Sequence, residues 1–316
     1  MKLSIIIPYH NEGEKFIKQT ISQISQTIDF RDYEVIIVDD GSMKPLENIG
    51  GAKVIRHPEN IGVGAAFDTG VKHAASENLM LMGADIRFAK NNWSSMLLDE
   101  IKKHPEAFTC TTCVGLNDAD LDFERRRLVS WYNGATIIIF HDHKSNPKKS
   151  ETFRGILEAK WIPKLANRDV DSFTVPCILG AAYGVKKSWY QYCDGFAGHR
   201  MWGTLEPYIS LKSWIFGGSC RVAPRIETGH IFKARGTHGT KQHFLLYNKM
   251  LVSMLLFPDY ERLIDFLGGN SIAKKARQMC AENMRFIVNK RAEYAKKTVL
   301  PVKDFLMSNQ IDYRLQ

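Results

Sequence analysis

The sequence predicts an α/β fold built on a mostly parallel sheet. Short, uninterrupted apolar runs recur through the first part of the chain: "KLSIII", "YEVIIVDDGS", "AKVIRH" and "NLMLMGAD". Segments with helical spacing separate them. Polar residues gather at the carboxyl ends of the runs. Strands that show no polar alternation are buried on both faces, which requires helices above and below the sheet. In such sheets ligands bind beyond the carboxyl ends of the strands.

The elements follow in order. "KLSIII" carries one Lys and a few apolar residues before Pro8, with no small-residue cleavage site after it, so it reads as a first core strand and not as a signal peptide. "EKFIKQTISQI" sets Phe16, Ile17, Thr20, Ile21 and Ile24 at helical spacing. The second strand ends in Asp39-Asp40-Gly41-Ser42 and the third in Arg56-His57. "GVGAAFDTGVKHAA" is a helix with small residues on its packing face, and the fourth strand runs into Asp85. Residues 117–167 are polar, with "ERRR", "HDHKSNPKKSE" and one strand-like run, "GATIIIF"; they read as an irregular insertion that shapes an acceptor side or a lid. "FTVPCILGAAYGVKKSWY" resumes core character, and "WGTLEPYISLKSWIFGG" is a helix stopped by Gly-Gly. "SCRVAP" is a further strand, and "ETGHIF" leads out of the core. From Thr240 on, helices are expected over "KQHFLLYNKMLVSMLLF", "DYERLIDFL", one long segment Ser271 to Lys297, and a last piece after Pro301.

The chain of 316 residues is 44% hydrophobic and 24% charged, enough for one large domain or a domain with an extension. The expected division is a core domain over 1–238 and a basic helical extension over 239–316. Apolar runs such as Ile137 to Phe140 and Leu251 to Phe257 fall far short of the roughly 20 residues a membrane span needs, so no transmembrane segment is expected. Six scattered cysteines do not make a disulfide framework, and a cytoplasmic location is the default expectation. The formal charge is +9, and residues 231–316 hold fifteen Lys or Arg against seven Asp or Glu. A nearly neutral body with a basic end suggests an anionic partner, while a solvated Lys-rich helical face would look the same.

Several patterns carry little chemistry. Cys110-x-x-Cys113 lacks a second pair and sits in a strand-like run, so zinc is not expected there. His141-Asp142-His143 has metal-ligand residue types but reads as loop. "GVGAAFDTG" lacks the Gly-x-Gly-x-x-Gly spacing after the first strand, which argues against a dinucleotide-binding dehydrogenase.

The motifs "IIIPYHNE", "VIIVDDGS", "NIGVGAAFDTG" and "MLMGADI" occur in an order and spacing that resembles the family 2 glycosyltransferases, which have the GT-A fold. "WGTLEPYISLKSWIFGGSCRVAPRIETGHIF" is similar to the matching region of the polypeptide N-acetylgalactosaminyltransferases, where a Trp-Gly, a Gly-Gly and a Gly-His-Ile/Val-Phe recur. The likeness covers roughly residues 1–235. It implies a nucleotide-diphospho-sugar transferase fold, a mixed Rossmann-like sheet with helices on both faces, and a nucleotide-sugar donor, with UDP-sugar first. It places Asp40 where the family reads the base imide through a charge-assisted hydrogen bond. Asp39 orients the adjoining loop. Pro8 and His10 line the base or ribose, and Glu12, Asn60, Gly62 and Ala84 fall on the donor side. An Asp-Asp-Gly-Ser after a strand is also a good turn and cap.

Many relatives carry Asp-x-Asp where this chain has Gly83-Ala84-Asp85. The resemblance makes Asp85 the direct ligand of Mn²⁺ or Mg²⁺, with the first acid missing. One carboxylate rarely holds such an ion alone. The partner implied is His230 of "TGHIF", the family's C-terminal histidine ligand, with diphosphate oxygens and water completing the set. Arg87 or Lys233 on the diphosphate is the metal-free alternative. Aligned on Trp202-Gly203, Glu206 takes the second position of the family's acid pair and Leu205 the first. Glu206 is then the catalytic base of an inverting displacement. Pro207 marks a helix start, and a helix N-terminus is expected to lower the acid's pKa. Trp202 with Gly203 is expected on the acceptor side, Trp214 in the core, and His238 beside the diphosphate.

The acceptor stays open between a glycan or lipid-linked saccharide and hydroxylated-base DNA, whose phosphates a Lys- and Arg-rich end would hold without reading sequence. The competing class is a non-catalytic sugar-nucleotide or glycan-binding module that has lost its first aspartate.

Overall fold

A computed structural model describes residues 1–47, 49–117, 119–143, 153–163, 170–232 and 241–314. The chain opens with β1 (Leu3–Tyr9), α1 (Glu14–Thr27), β2 (Tyr33–Asp40), β3 (Lys53–His57), α2 (Val63–His73), β4 (Asn78–Met82) and β5 (Ile86–Phe88). It continues through α3 (Trp93–Lys103), β6 (Ala107–Leu116), the short α4 (Phe123–Arg127), β7 (Trp131–His143) and β8 (Phe153–Pro163). Then come β9 (Phe173–Thr174), β10 (Ala182–Lys186), α5 (Lys187–Tyr192), α6 (Leu205–Ile215) and β11 (Ser219–Ile231). Five helices close the described chain: α7 (Gln242–Leu256), α8 (Tyr260–Phe266), α9 (Ser271–Glu282), α10 (Met284–Lys297) and α11 (Val302–Ser308).

One sheet runs β3-β2-β1-β4-β10-β6-β11-β5, with β7 and β8 continuing from β6, and β9 on β11. The β3, β2, β1 and β4 strands are parallel; β10 runs antiparallel to both β4 and β6. All seven residues of β1 are buried, as an apolar strand covered on both faces must be. α1 buries Ile17, Thr20, Ile21 and Ile24, a single stripe at helical spacing. α2 lies close against β1 at Gly70, where a Cβ would stand 2.2 Å from Ile6 Cγ2; its buried face mixes Gly64, Ala66 and Gly70 with Phe67 and Val71.

The strand order reverses between β1 and β4, and that switch point opens the site. β4 pairs with β1 only from Ser4 to Ile6, whereas β2 follows β1 as far as Tyr9. Pro8, which has no N–H to give, therefore sits where β4 has already turned away. The resulting crevice lies at the carboxyl ends of the strands.

Three expectations need correction. The middle of the chain is not irregular: β7 and β8 form a long antiparallel hairpin registered from Tyr132↔Pro163 to His143↔Phe153. In β7 the buried Ile137 and Ile139 alternate with the half-buried Thr136, Ile138 and Phe140. His141 is consequently on a strand and not in a loop, with Nδ1 at 3.0 Å from Glu158 Oε2. The segment from Ser271 to Lys297 is two helices broken at Asn283, which leaves helical geometry at φ −100°, ψ 11°. "SCRVAP" and "ETGHI" belong to one strand, β11, carried through an irregularity between Ala223 and Glu227.

The C-terminal helices are not a loose tail. Their buried side chains, from Leu246 to Ile311, belong to the same apolar cluster as the sheet. α7 is buried on nearly every side from Leu246 to Leu256, including Asn248 and Lys249. Among the described residues no helix is long and apolar enough to cross a membrane.

Candidate active site

Two adjoining lobes fill the crevice, and Pro8, Glu12, Val63 and Trp202 line both. The first has a volume of about 140 Å³, and its wall includes Tyr9, His10, Asp40, Asn60, Gly62 and Met201. The second, about 240 Å³, is lined by Met82, Gly83, Asp85, Trp161, Gly180, Tyr183, Glu206, His230 and Phe232 among others.

The first lobe is built by hydrogen bonds among neighbouring loops. Asp40 ends β2, buried, and its Oδ1 accepts from His57 Nδ1 at 2.8 Å and from the Ile61 N–H at 3.1 Å. Its Oδ2 accepts from the Gly62 N–H at 2.7 Å. A carboxylate has about four acceptor positions, so one remains on Oδ2 for a donor in the lobe. His57 Nε2 in turn lies 2.9 Å from Thr69 Oγ1 on α2. His10 has Nδ1 at 2.8 Å from the Asp40 carbonyl, so that nitrogen carries the proton, and Nε2 faces the Asn11 amide at 3.0 Å. Its ring is held as a wall. Gly62 must be glycine: its φ is +113°, and a Cβ there would stand 2.2 Å from the Met201 nitrogen.

Asp39 stands behind the wall and does not line it. Fully buried, it accepts from the Ser42 N–H at 3.0 Å and the Leu46 N–H at 3.2 Å, and pairs with Arg56. Those bonds to the loop and to Arg56 hold its carboxyl below the usual range despite burial. Its part is to fix the 42–46 loop. Ala84 is likewise buried behind the second lobe, where its carbonyl accepts from Thr20 Oγ1 at 2.7 Å. Asp39 thus orients its loop, and Ala84, expected on the donor side, lines neither lobe.

In the second lobe, Asp85 and His230 meet. They lie on the turn after β4 and near the end of β11, and His230 Nε2 is 3.6 Å from Asp85 Oδ1. The Ile231 N–H donates to the Asp85 carbonyl at 3.2 Å, so the backbones are also tied. A separation of 3.6 Å is too long for a hydrogen bond. It suits two atoms bound to one ion, with each bond about 2.1 Å. Among the described residues no cluster of three or more His, Cys, Asp or Glu could hold a metal by itself. Any ion here would need ligand oxygens and water as well, as an octahedral Mg²⁺ or Mn²⁺ site does. A side chain at Gly83 would have its Cβ 3.1 Å from Asp85 Oδ1, so the place of the missing acid lies beside the one that is kept.

Glu206 is the second residue of α6 and lines the same lobe. It is half-buried, and Gly180 lies directly beneath it: a Cβ there would stand 1.9 Å from Glu206 Oε1. Burial raises its pKa above the ordinary 4.5, and the hydrogen bond from its own backbone N–H only partly opposes this. The shift thus runs opposite to the lowering expected from the helix N-terminus, and burial is its cause.

Other assignments change as well. Arg87 does not reach the diphosphate region as a free cation. It is buried against α1, with Nη1 donating to Thr20 Oγ1 at 2.6 Å and Nη2 to Gln19 Oε1 at 2.9 Å. Lys233 and His238 lie outside the described residues. Trp202 is 44% exposed at the mouth of both lobes. Gly203 does not appear in either wall; at φ +101° it packs on Leu245 of α7. Trp214 is half-buried, donating from Nε1 to the Val175 carbonyl at 3.2 Å and packed on Phe305. Cys110 and Cys113 are buried in β6, where desolvation pushes both thiols up to about 12. Sequence reasoning missed Trp161, Gly180 and Phe232. Trp161 and Phe232 pack at 5.7 Å between ring centroids beside His230. The one available signal for Trp161 was an aromatic in the run "LEAKWIP", inside an otherwise polar part of the chain.

Residues 4–170 match the family described as Glycosyl transferase family 2. Polypeptide N-acetylgalactosaminyltransferase 5 of Caenorhabditis elegans is 23% identical over 278 residues, covering 82% of this chain and 42% of that protein. Human polypeptide N-acetylgalactosaminyltransferase 14 is 25% identical over 245 residues, covering 73% and 41%. The chain thus spans about two-fifths of the length of these curated relatives. Among solved structures, GalNAc-T7 with UDP, GalNAc and Mn²⁺ superposes with a TM-score of 0.65 at 19% identity, over 93% of this chain and 57% of that one. Staphylococcus aureus TarS gives 0.50 at 15% identity, over 84% and 42%. At these identities the structures attest a shared fold, and the match over more than half of the sequence attests the family: the chain belongs to glycosyl transferase family 2.

Proposed function

We propose that this protein transfers a sugar from a nucleotide-sugar donor, UDP-sugar first, to an acceptor hydroxyl, with inversion at the anomeric carbon. The observation that carries the reading is the meeting of Asp85, His230 and Glu206 in one lobe, next to a second lobe walled by Asp40 and His10. The curated relatives are named as N-acetylgalactosaminyltransferases, and one solved neighbour holds UDP and Mn²⁺, which supports the donor and the ion.

In this reading the first lobe takes the nucleoside. The remaining acceptor position of Asp40 takes an imide N–H of the base, and Pro8 and His10 flank the ring. Asp85 and His230 would hold Mn²⁺ or Mg²⁺, whose charge would offset that of the diphosphate as it leaves. Glu206 accepts the proton of the acceptor hydroxyl as that oxygen bonds to the anomeric carbon. Its raised pKa makes it a stronger base than an ordinary glutamate, at the cost of a smaller ionised fraction at acid pH. Leu205 stands at the other acid position and cannot act as base or nucleophile. Trp202, at the mouth, forms the acceptor platform.

The acceptor is anionic in this reading. Several C-terminal cations are engaged within the fold: Lys249 with Glu158, Lys290 with Asp194, and Arg291 with the Phe257 carbonyl. Arg200, Lys241, Lys274, Lys275 and Arg285 are exposed. DNA with a hydroxylated base and an anionic glycan or membrane-borne saccharide both meet that requirement.

A panel of nucleotide sugars, read by thermal shift with and without Mn²⁺ and then by UDP release, tests the donor. The expected result is stabilisation by a UDP-sugar that needs Mn²⁺ and UDP release that EDTA stops. Equal activity in EDTA would remove the ion from the reading, and no response to any nucleotide sugar would leave a non-catalytic module. The anomeric configuration of a transferred product, read by NMR, decides inversion.

A further inference from the structure

We propose that Asn248, on the first helix of the C-terminal region, is a positioning residue for the active site. It acts through the loop Arg200–Gly203, whose Met201 and Trp202 wall the crevice. The idea rests on the function proposed above only in naming the nucleotide whose binding is read.

Asn248 is fully buried on α7. Its Oδ1 accepts from the Arg200 N–H at 3.0 Å. Its Nδ2 donates to the Arg200 carbonyl at 2.7 Å and lies 3.3 Å from the carbonyls of both Trp202 and Gly203. One primary amide, two donors and an acceptor on a short side chain, thereby holds the main chain of a four-residue loop. The preceding residue, Tyr247, donates its hydroxyl to the Gly198 carbonyl at 3.1 Å. The loop needs such a hold. Met201 sits at φ +56°, a left-handed conformation that a non-glycine residue keeps only when its surroundings impose it.

The far side of the loop is joined to the nucleotide lobe. The Val63 N–H, at the start of α2, donates to the Met201 carbonyl at 3.0 Å, and Gly62 lies against the Met201 main chain. A continuous line of contacts therefore runs from Asn248 through Met201 to Gly62, whose own N–H is bound by Asp40. Trp202, one residue on, is carried by the same loop. The family match ends at residue 170, so this clamp comes from a part of the chain that the match does not include.

Asparagine and aspartate have nearly the same shape, which makes the test selective. Asn248→Asp keeps the volume and the acceptor, removes both donors and sets a negative charge against three carbonyl oxygens. If Asn248 only fills space, the buried charge of Asp should cost folding stability while loop protection and nucleotide affinity of the folded protein stay as with Asn. If its amide holds the loop, Asp should be at least as damaging as Ala. Ser253→Ala is the control: Ser253 is buried on the same helix and bonds only within it, to the Lys249 carbonyl at 2.8 Å.

UDP binding in the presence of Mn²⁺ is measured by calorimetry, and amide hydrogen exchange is followed over Arg200–Gly203 and at the start of α2. We expect Asn248→Ala to bind UDP about tenfold more weakly, and Asn248→Asp no better than Ala. Both should accelerate exchange in the loop and at Val63, and Ser253→Ala should do neither. Wild-type affinity and exchange in Asn248→Asp would overturn the proposal, as would an equal loss in Ser253→Ala. If the wild type takes up no UDP, the donor reading fails, and exchange alone decides: unchanged loop protection in both Asn248 variants then overturns it. Should Asn248→Asp fail to fold, Asn248→Ala against Ser253→Ala carries the same comparison.

Discussion

The two lobes of the crevice are made in different ways. The first lobe is assembled mainly from the loops after β1, β2 and β3 and closed by Met201 and Trp202, and its polar groups are already bonded to one another: Asp40 to His57, Ile61 and Gly62, and His10 to the Asp40 carbonyl. The second lobe brings together the turn after β4, the start of α6 and the end of β11, and its Asp85, Glu206 and His230 face a shared space. A lobe built from satisfied hydrogen bonds holds a shape. A lobe of side chains that converge from separate elements leaves their polar ends facing the space between them. Variants in the first lobe should therefore cost stability and donor affinity together, and variants in the second should cost turnover and spare the fold.

The sharpest break is Asp85→Ala. It should lower Mn²⁺-dependent turnover by about three orders of magnitude, since a bound cation is worth several kcal/mol to the transition state. The melting temperature without metal should not fall. A comparable loss of stability in the metal-free protein would make Asp85 a structural residue.

Glu206→Gln should lower transfer by about 10²–10⁴-fold with UDP affinity kept. It also has a stability sign. The folded-state pKa of Glu206 is raised above 4.5, so the folded state favours the protonated acid. The contribution is fully present below the ordinary value and is lost as pH rises through the raised one. Gln escapes that loss, so the variant should melt higher than wild type at neutral pH, with the difference vanishing at acid pH. Wild-type turnover should rise with pH, its acid limb centred above 4.5. An unchanged melting temperature at pH 7 and an acid limb at the ordinary glutamate value would remove the burial argument.

Gly180→Ala tests the floor beneath Glu206. The added methyl must displace the carboxylate, and turnover should drop between about tenfold and a hundredfold while UDP binding stays near wild type. Asp40→Asn, in the other lobe, should behave in the opposite way. It loses charge-assisted bonds to His57 and two backbone amides, costing about 2–3 kcal/mol of folding stability and weakening UDP, with a smaller effect on turnover once donor is saturating. Urea melts and donor titrations measured on the pair would show whether the division between lobes holds.

The legibility of the molecule follows the same division. The strands β1 to β4 and the helices α1 and α2 could be read because their apolar periodicity is local and unbroken. Of the β7–β8 pair only "GATIIIF" read as a strand; β8 shows no period-2 pattern, since Ile156 and Leu157 are both buried, and its pairing with β7 is a tertiary fact. The break at Asn283 was hidden because both flanking stretches are rich in good helix formers. At the site, Asp85 and His230 were named from motifs, whereas Gly180 and Trp161 carry no motif and matter only through what they lie against.

The order of apolar strands and small-faced helices by itself determined a sheet with its ligand site at the carboxyl ends, because burial on both faces is a property of each strand alone. Which residues share a lobe was decided only by tertiary structure. Glu206 shows why: a helix N-terminus is visible in sequence and favours the ionised acid, but the burial that raises its pKa comes from a lobe whose other walls, Gly180 and Tyr183 among them, lie on separate elements. The same holds for Asp39 and Asp40. They are adjacent in sequence, yet one is spent behind the wall on its own loop and the other faces the crevice, since successive residues of a strand point to opposite sides.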